Sequence, residues 1–100
     1  MAGTTATAVL SYHGTASATF ADTVTIAPSR NVRLYNTHAT IAIYYTVGVD
    51  GVAATTAAAA AESYILPAVS SVQLVPASGK ITQLSIFPAS GTPTYSVCGF

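Results

Sequence analysis

The chain has 100 residues, of which 6% are charged, and its three Lys or Arg balance its three Asp or Glu. Nucleic acids and anionic membranes are bound through clustered basic residues, so this balance excludes both as the main partner. Because Cys98 is the single cysteine, the chain cannot have an internal disulfide framework. We expect Cys98 to be a small side chain in a buried or half-buried position. The length fits one domain, 1–100, with residues 1–6 as a flexible arm.

Short segments that alternate apolar and polar residues recur along the chain between turn-forming residues. We predict strands at 7–12, 18–27, 32–35, 41–47, 63–66, 71–75, 81–87 and 94–98. The residues 13–15 are predicted to form a turn, Phe20 to lie in the core, and a bulge to interrupt the strand at 22–23. About eight short strands, spaced by roughly ten residues, are typical of an all-β antiparallel sandwich of jelly-roll or immunoglobulin type, or of a small barrel.

The stretch 31–48 dominates this pattern, because its two halves alternate most regularly. We predict a central hairpin, in which the polar residues 36–40 turn the chain back within one sheet. Ile43 and Tyr45 would then face the core of the domain. Near the end of the chain, Tyr95 and Val97 are predicted to face the same core.

The opposite face of this predicted hairpin supplies the candidate contact residues. Tyr35 and Tyr44 would be exposed together there, bordered by Arg30 and Arg33. Such tyrosines either pair across strands and stabilise the sheet, or form an aromatic contact patch for a protein or glycan partner. The two arginines would be either rim contacts to an acidic neighbour or solubilising charges on an edge.

The segment 52–62 contains a run of alanines and has no apolar stripe to bury. Alanine favours helix, but so short an isolated helix is marginal in water. We therefore predict a long loop with at most one helical turn at 57–61. Long loops in compact β-domains are often functional.

No catalytic or cofactor motif is present. His13 and His38 fall in predicted turns, and neither has an acidic or cysteine partner at metal-ligand spacing. There is no G-x-S-x-G elbow and no phosphate-binding loop. We therefore expect a protein that is not an enzyme, with no catalytic residue, no cofactor and no metal.

Five segments of the chain carry a resemblance: VRLYN, IAIYYTVGVDG, SYILPA, VQLVPASGKITQLSI and SGTPTYSVCG. The series resembles small all-β virion proteins of tailed bacteriophages, which carry V-x-V-x-N … I-Y-[FY]-T-V-[DG]-G, then Y-x-[LV]-P-A and Y-S-V-x-G. The likeness covers residues 20–99. The chain departs from the pattern at its alanine run, 57–61, where such proteins often have glycine and acidic residues.

The resemblance implies a virion structural protein, most simply a head decoration protein on the outer capsid surface. Its partners would be the major capsid protein or other virion proteins, together with further copies of itself, for example as a trimer. A chain with so few charges has little protection against association, which favours an assembled subunit independently. Residues 1–10 lack the features of a signal peptide, so synthesis in the host cytoplasm is expected.

A function of another class remains open at this point. The alternative is a β-sandwich binding module on a phage tail or fibre that recognises a host glycan or receptor. An exposed aromatic platform with nearby Asn or Asp would favour the binding module, whereas a flat, apolar, self-complementary face would favour the structural subunit.

Overall fold

The computed structural model of this chain describes residues 5–9, 11–16, 20–54, 57, 63–76 and 78–99. Within these residues there are nine strands: β1 (Thr5–Val9), β2 (Ser11–Thr15), β3 (Asp22–Ser29), β4 (Val32–Asn36), β5 (Ile43–Val49), β6 (Tyr64–Leu66), β7 (Ser70–Leu74), β8 (Ile81–Pro88) and β9 (Thr94–Gly99). In this part of the chain no helix has the length and apolar character needed to cross a membrane. Of the predicted arm, residues 1–4 lie outside the described residues, whereas Thr5 and Ala6 belong to β1.

The strands form two sheets. The five-stranded sheet has the order β1-β3-β8-β5-β6, and the four-stranded sheet has the order β2-β9-β4-β7. Neighbouring strands are antiparallel except β1 and β3, which are parallel. The predicted all-β sandwich is therefore confirmed, with one strand more than expected and one parallel pair at an edge.

The predicted central hairpin is wrong. β4 lies in the four-stranded sheet and β5 in the five-stranded sheet, so the chain crosses between sheets after Asn36. The buried side chain of Asn36 fixes this crossing. Its Nδ2 donates to the carbonyl oxygens of Ile41 (2.8 Å) and Leu66 (3.2 Å), and its Oδ1 accepts from the backbone N–H of His38 (3.1 Å). Of the strands described, only β5 and β6 are consecutive in the chain and also paired.

The core lies between the sheets, where the alternate residues of each strand meet. Ile43, Tyr45, Tyr95 and Val97 are buried, as predicted. The other buried apolar side chains of the described residues include Ala16, Val24, Ile26, Val32, Leu34, Leu66, Ile81, Leu84 and Ile86. Each sheet thus buries the alternate residues that face the other sheet, which is the ordinary pattern of a sandwich whose inner faces pack against each other.

Three local predictions near the start of the chain fail. Phe20 is 43% exposed, because β3 begins only at Asp22 and it is this carboxylate that faces inward. The irregularity in β3 falls between Thr25 and Ser29 instead of at 22–23. His13 is not in a turn, since it lies in the middle of β2 and pairs with Ser96 of β9.

The loop that follows β5 lies against the outer face of the five-stranded sheet. The backbone N–H of Ala54 donates to Oε1 of Gln83 (2.8 Å), and that of Ala57 donates to Oγ of Ser85 (2.9 Å). A side chain at Gly48 would clash with the backbone of Val52 and Ala54, so glycine permits this close approach. The rest of the predicted helical turn, 58–61, lies outside the described residues.

Candidate functional site

The four predicted contact residues do not form one patch. Tyr35 and Arg33 lie on β4, in the four-stranded sheet, whereas Tyr44 lies on β5, in the five-stranded sheet. Because both tyrosines alternate with buried neighbours, each points away from the core on its own side of the sandwich. The predicted joint exposure of Tyr35 and Tyr44 is therefore wrong. Arg30 is exposed in the connection between β3 and β4.

Arg33 is engaged within its own sheet. Its Nη2 donates to Oε1 of Gln73 on β7 (2.8 Å), and Nε2 of Gln73 donates in turn to Oδ1 of Asn31 (3.1 Å). Arg33 and Gln73 are also direct cross-strand neighbours. This chain of hydrogen bonds holds the guanidinium group of Arg33 along the β4–β7 edge.

Tyr44 belongs to an apolar row on the outer face of the other sheet. Strand register places it between Phe87 of β8 and Ile65 of β6. Tyr44 and Phe87 are half-buried, whereas Ile65 is 57% exposed. The row therefore ends in an exposed apolar side chain at the edge strand β6.

A groove opens beside β6, where the two sheets separate. It has a volume of about 610 Å³, and we call it the β6 groove. Its lining contains no charged residue among those described: Tyr45, Val47, Val49, Tyr64, Gln73, Leu74, Val75, Pro76, Ser78 and Ile81. The groove exists because β6 is short and pairs with β5 only as far as Tyr45, so the apolar residues of β5 beyond this point have no β6 partner.

Two tyrosines stack at the mouth of the β6 groove. The rings of Tyr45 and Tyr64 have their centroids 5.6 Å apart and are tilted by 30°. Burial, with a smaller contribution from Tyr64, raises the pKa of Tyr45 above its ordinary value. The phenol of Tyr45 therefore stays neutral to a higher pH than an ordinary tyrosine.

Three of the seven large apolar side chains that are exposed among the described residues lie in or next to this groove. Tyr64, Ile65 and Val75 are each more than half exposed, at 66%, 57% and 64%. Sequence reasoning predicted the strand at 63–66 but not this surface. A signal was available, because Tyr64, Ile65 and Leu66 are three consecutive apolar residues, and a strand with one solvated face should alternate.

The outer face of the four-stranded sheet has a different chemistry, which is rich in hydroxyl groups. Register places Tyr35 between Ser96 of β9 and Ser71 of β7, with His13 of β2 beyond Ser96. Nδ1 of His13 is hydrogen-bonded to Oγ of Ser96. Oγ1 of Thr37 donates to Oγ1 of Thr94 (2.8 Å). We call this surface the hydroxyl face.

Two shallow grooves flank Tyr35 on the hydroxyl face and share Thr37. The first has a volume of about 560 Å³ and is lined by Tyr12, His13, Gly14, Thr15, Thr37, Thr94, Tyr95 and Ser96. The second has a volume of about 370 Å³ and is lined by Tyr35, Asn36, Thr37, Val69, Ser70 and Ser71.

The two histidines have separate local roles. Nδ1 of His38 accepts the backbone N–H groups of Thr40 and Ile41, both at 3.1 Å, and so caps the crossing between the sheets. His13 is tied to Ser96 on the hydroxyl face. Within the described residues, no three His, Cys, Asp or Glu side chains are grouped so that they could hold a metal ion.

Taken together, the fold and its surfaces define a two-sheet β-sandwich domain. No protein-family model and no curated protein matches the chain. Among solved structures, the chain is similar to one described as "Crystal structure of PirA", with a TM-score of 0.54 and 15% identity over 92% of this chain and 94% of that chain. A weaker likeness, with a TM-score of 0.44 and 15% identity over 98% and 93% of the two chains, is to the pre-peptidase C-terminal domain of collagenase from Bacillus anthracis. At this identity the likeness to PirA is one of fold alone.

Proposed function

We propose that this chain is a non-enzymatic structural protein of a phage virion, a decoration protein that binds the outer surface of the head. The observation that carries the proposal is the apolar surface around the β6 groove. Exposed contiguous apolar surface marks a site of protein contact, and few monomers leave such surface in water.

The chemistry of the β6 groove supports a contact role over a catalytic one. Its described lining is aliphatic and aromatic apart from Gln73 and Ser78, and it contains no carboxylate, imidazole or thiol. General acid–base and nucleophilic catalysis need such titratable groups within reach of a substrate. An apolar, uncharged groove instead gains free energy when a complementary protein surface removes it from water.

The resemblance to small virion proteins narrows this contact role to the capsid surface. The low overall charge also supports the contact role. Only six of the 100 residues are Lys, Arg, Asp or Glu, so charge repulsion between copies does little to oppose association. In this proposal the partners are the major capsid protein and further copies of the chain, and the working location is the virion.

Co-sedimentation with capsids that lack this protein tests the proposal. The wild-type chain is expected to sediment with capsids and to saturate them. Val75→Arg should abolish this binding, because Val75 lines the β6 groove, is 64% exposed, and would place a charge in the apolar contact. Phe20→Arg is the matched control: Phe20 is also an exposed apolar residue, but it precedes β3, which is three strands away from β6 in the sheet order.

A wild-type protein that never sediments with capsids would overturn the proposal. Equal binding by the Val75→Arg and wild-type proteins would contradict the assignment of the contact to the β6 groove. Light scattering of the free protein measures self-association, which is expected to weaken in Val75→Arg and to be unchanged in Phe20→Arg.

A further inference from the structure

We propose that the hydroxyl face is a binding site for a neutral saccharide, centred on Tyr35 and Thr37. The site lies on the outer side of the four-stranded sheet, whereas the β6 groove lies at the β6 and β7 edge. The inference is thus independent of the capsid role proposed above.

The two outer faces of the sandwich are not equivalent. Part of the outer face of the five-stranded sheet is occupied by the chain itself, through the contacts of Ala54 and Ala57. On the four-stranded sheet, several outward residues of the strands are exposed, among them His13, Tyr35, Ser71 and Thr94. This face is therefore open to a ligand.

An aromatic ring stands at the centre of the open face. Tyr35 is 38% exposed, and register flanks it with the hydroxyl-bearing residues Ser96 and Ser71. Binding sites for small ligands combine an aromatic or apolar surface with a few placed polar groups. The C–H face of a sugar ring matches the ring of Tyr35, and its hydroxyl groups match the serines on either side.

The hydroxyl groups around Tyr35 are already oriented by hydrogen bonds to one another. Oγ1 of Thr37 donates to Oγ1 of Thr94, and Ser96 is bonded to His13. A hydroxyl has one donor and two acceptor positions, so each of these groups retains capacity for a ligand. Groups that are held before binding lose less freedom when a ligand arrives.

An unusual backbone conformation holds an apolar side chain beside Tyr35. Val69 has φ of +53°, a region that β-branched residues rarely adopt. Its N–H donates to the carbonyl oxygen of His38 (3.1 Å), which ties this turn to the crossing between the sheets. The side chain of Val69 is 73% exposed and lines the same groove as Tyr35. It extends the apolar surface on which a sugar ring can rest.

The charge of the site decides the class of ligand. None of the described residues lining either groove is Lys, Arg, Asp or Glu. Arg33 shares this face of β4 with Tyr35, but it lines neither groove and its Nη2 donates to Oε1 of Gln73. A phosphate or carboxylate ligand would need a cationic partner, usually Arg or Lys. A ligand that carries many hydroxyl groups and no charge is what this lining can satisfy.

NMR titration of the isotope-labelled chain tests this inference, with a panel of neutral mono- and oligosaccharides and their sialylated counterparts as probes. At least one neutral saccharide is expected to shift the backbone signals around Tyr35 and Thr37, with a dissociation constant of about 1 mM or lower. Tyr35→Ala should weaken this binding about tenfold or more, a change of about 1.4 kcal/mol. Thr37→Val, which keeps the shape of the side chain, should also weaken it. Tyr44→Ala, on the other sheet, should leave it unchanged.

Three outcomes would overturn the inference: no shift with any neutral saccharide, binding of sialylated saccharides only, or affinity that is unaffected by both Tyr35→Ala and Thr37→Val. None of these outcomes bears on capsid co-sedimentation, which reports on the β6 groove.

Discussion

The hydroxyl of Tyr95 donates a hydrogen bond of 2.7 Å to Oδ2 of Asp22 across the interior of the sandwich. Asp22 begins β3 in the five-stranded sheet, and Tyr95 lies on β9 in the four-stranded sheet. Both side chains are almost completely buried, at 0% and 1% exposed. Burial of a carboxylate is costly unless it is hydrogen-bonded, so this bond joins the two sheets and offsets part of the cost of placing Asp22 in the core.

Tyr95→Phe should destabilise the fold although it removes a single oxygen. Asp22 would lose a donor that it cannot replace from water, and the expected loss in free energy of unfolding is about 1–3 kcal/mol. Urea denaturation measures this difference. Tyr35→Phe is the control, because Tyr35 is exposed and its change should stay within about 0.5 kcal/mol. Equal stabilities of the Tyr95→Phe and wild-type proteins would contradict the role given to this hydrogen bond.

Stability should fall in alkaline solution. Burial, and then the hydrogen bond and charge of Asp22, raise the pKa of Tyr95 above its ordinary value. Above about pH 10 the unfolded chain releases this phenolic proton while the folded chain keeps it. The stabilisation that the Tyr95 hydroxyl gives to the fold is therefore complete below that pH and is lost as the pH rises. Thermal melting between about pH 8 and pH 11 measures the slope, which should be shallower in Tyr95→Phe. Part of this pH dependence should remain in the Tyr95→Phe protein, because the pKa of Tyr45 is raised as well.

Gly79→Ala should be destabilising for two separable reasons. Gly79 has φ of +78°, which disfavours any side chain, and a Cβ there would clash with the carboxylate of Asp50. That carboxylate accepts the backbone N–H of Lys80 (2.9 Å) and so joins the turns before β8 and after β5. Gly51→Ala measures the cost of the positive φ angle alone, because Gly51 has φ of +82° and open space around it. We expect about 1–2 kcal/mol for Gly51→Ala and a larger loss for Gly79→Ala.

The double variant Gly79→Ala with Asp50→Ala tests the clash directly. If the carboxylate is the obstacle, removing it should make Gly79→Ala cost less in the double variant than it does alone, as measured by a double-mutant cycle in urea. Additive losses would mean that the φ angle alone explains the effect of Gly79→Ala.

Ile43→Ala should cost about 2–5 kcal/mol, because it opens a cavity in a fully buried position of β5. Tyr44→Ala, one residue further along, should cost less, since its side chain is half-buried on the outer face. Val52→Ala is the exposed control and should change stability by about 0.5 kcal/mol or less. Equal losses for Ile43→Ala and Tyr44→Ala in a denaturant titration would show that both faces of β5 are buried alike.

The sequence pattern predicted the strands of the second half of the chain closely. β7, β8 and β9 begin and end within one residue of their predicted bounds, because Pro76, Pro88 and the glycine turns mark those bounds. The alternation that makes a strand also shows which residues face inward, so most of the core could be read from it.

Which strands pair with one another could not be read from that alternation. An inward-facing residue packs equally well whether its strand belongs to one sheet or to the other. The crossing after β4 depends on the buried amide of Asn36, and polar residues between two strands also fit an ordinary hairpin turn. Tyr35 and Tyr44 were therefore predicted to lie together. The apolar rim of the β6 groove was missed because the pairing of the short strand β6 with β5, which leaves the far end of β5 without a β6 partner, was not predicted.

The position of β9 between β2 and β4 has a consequence for how this protein folds. β9 follows every other described strand along the chain, yet it is the strand that links β2 to the rest of its sheet, with Ser11 paired to Cys98. On the ribosome, β2 emerges early and must wait for Thr94–Gly99 before it has a partner. Closing so long a segment of chain is slow, and unpaired strands are prone to aggregate in the meantime. Folding of the four-stranded sheet is therefore expected to be completed only after synthesis has passed β9.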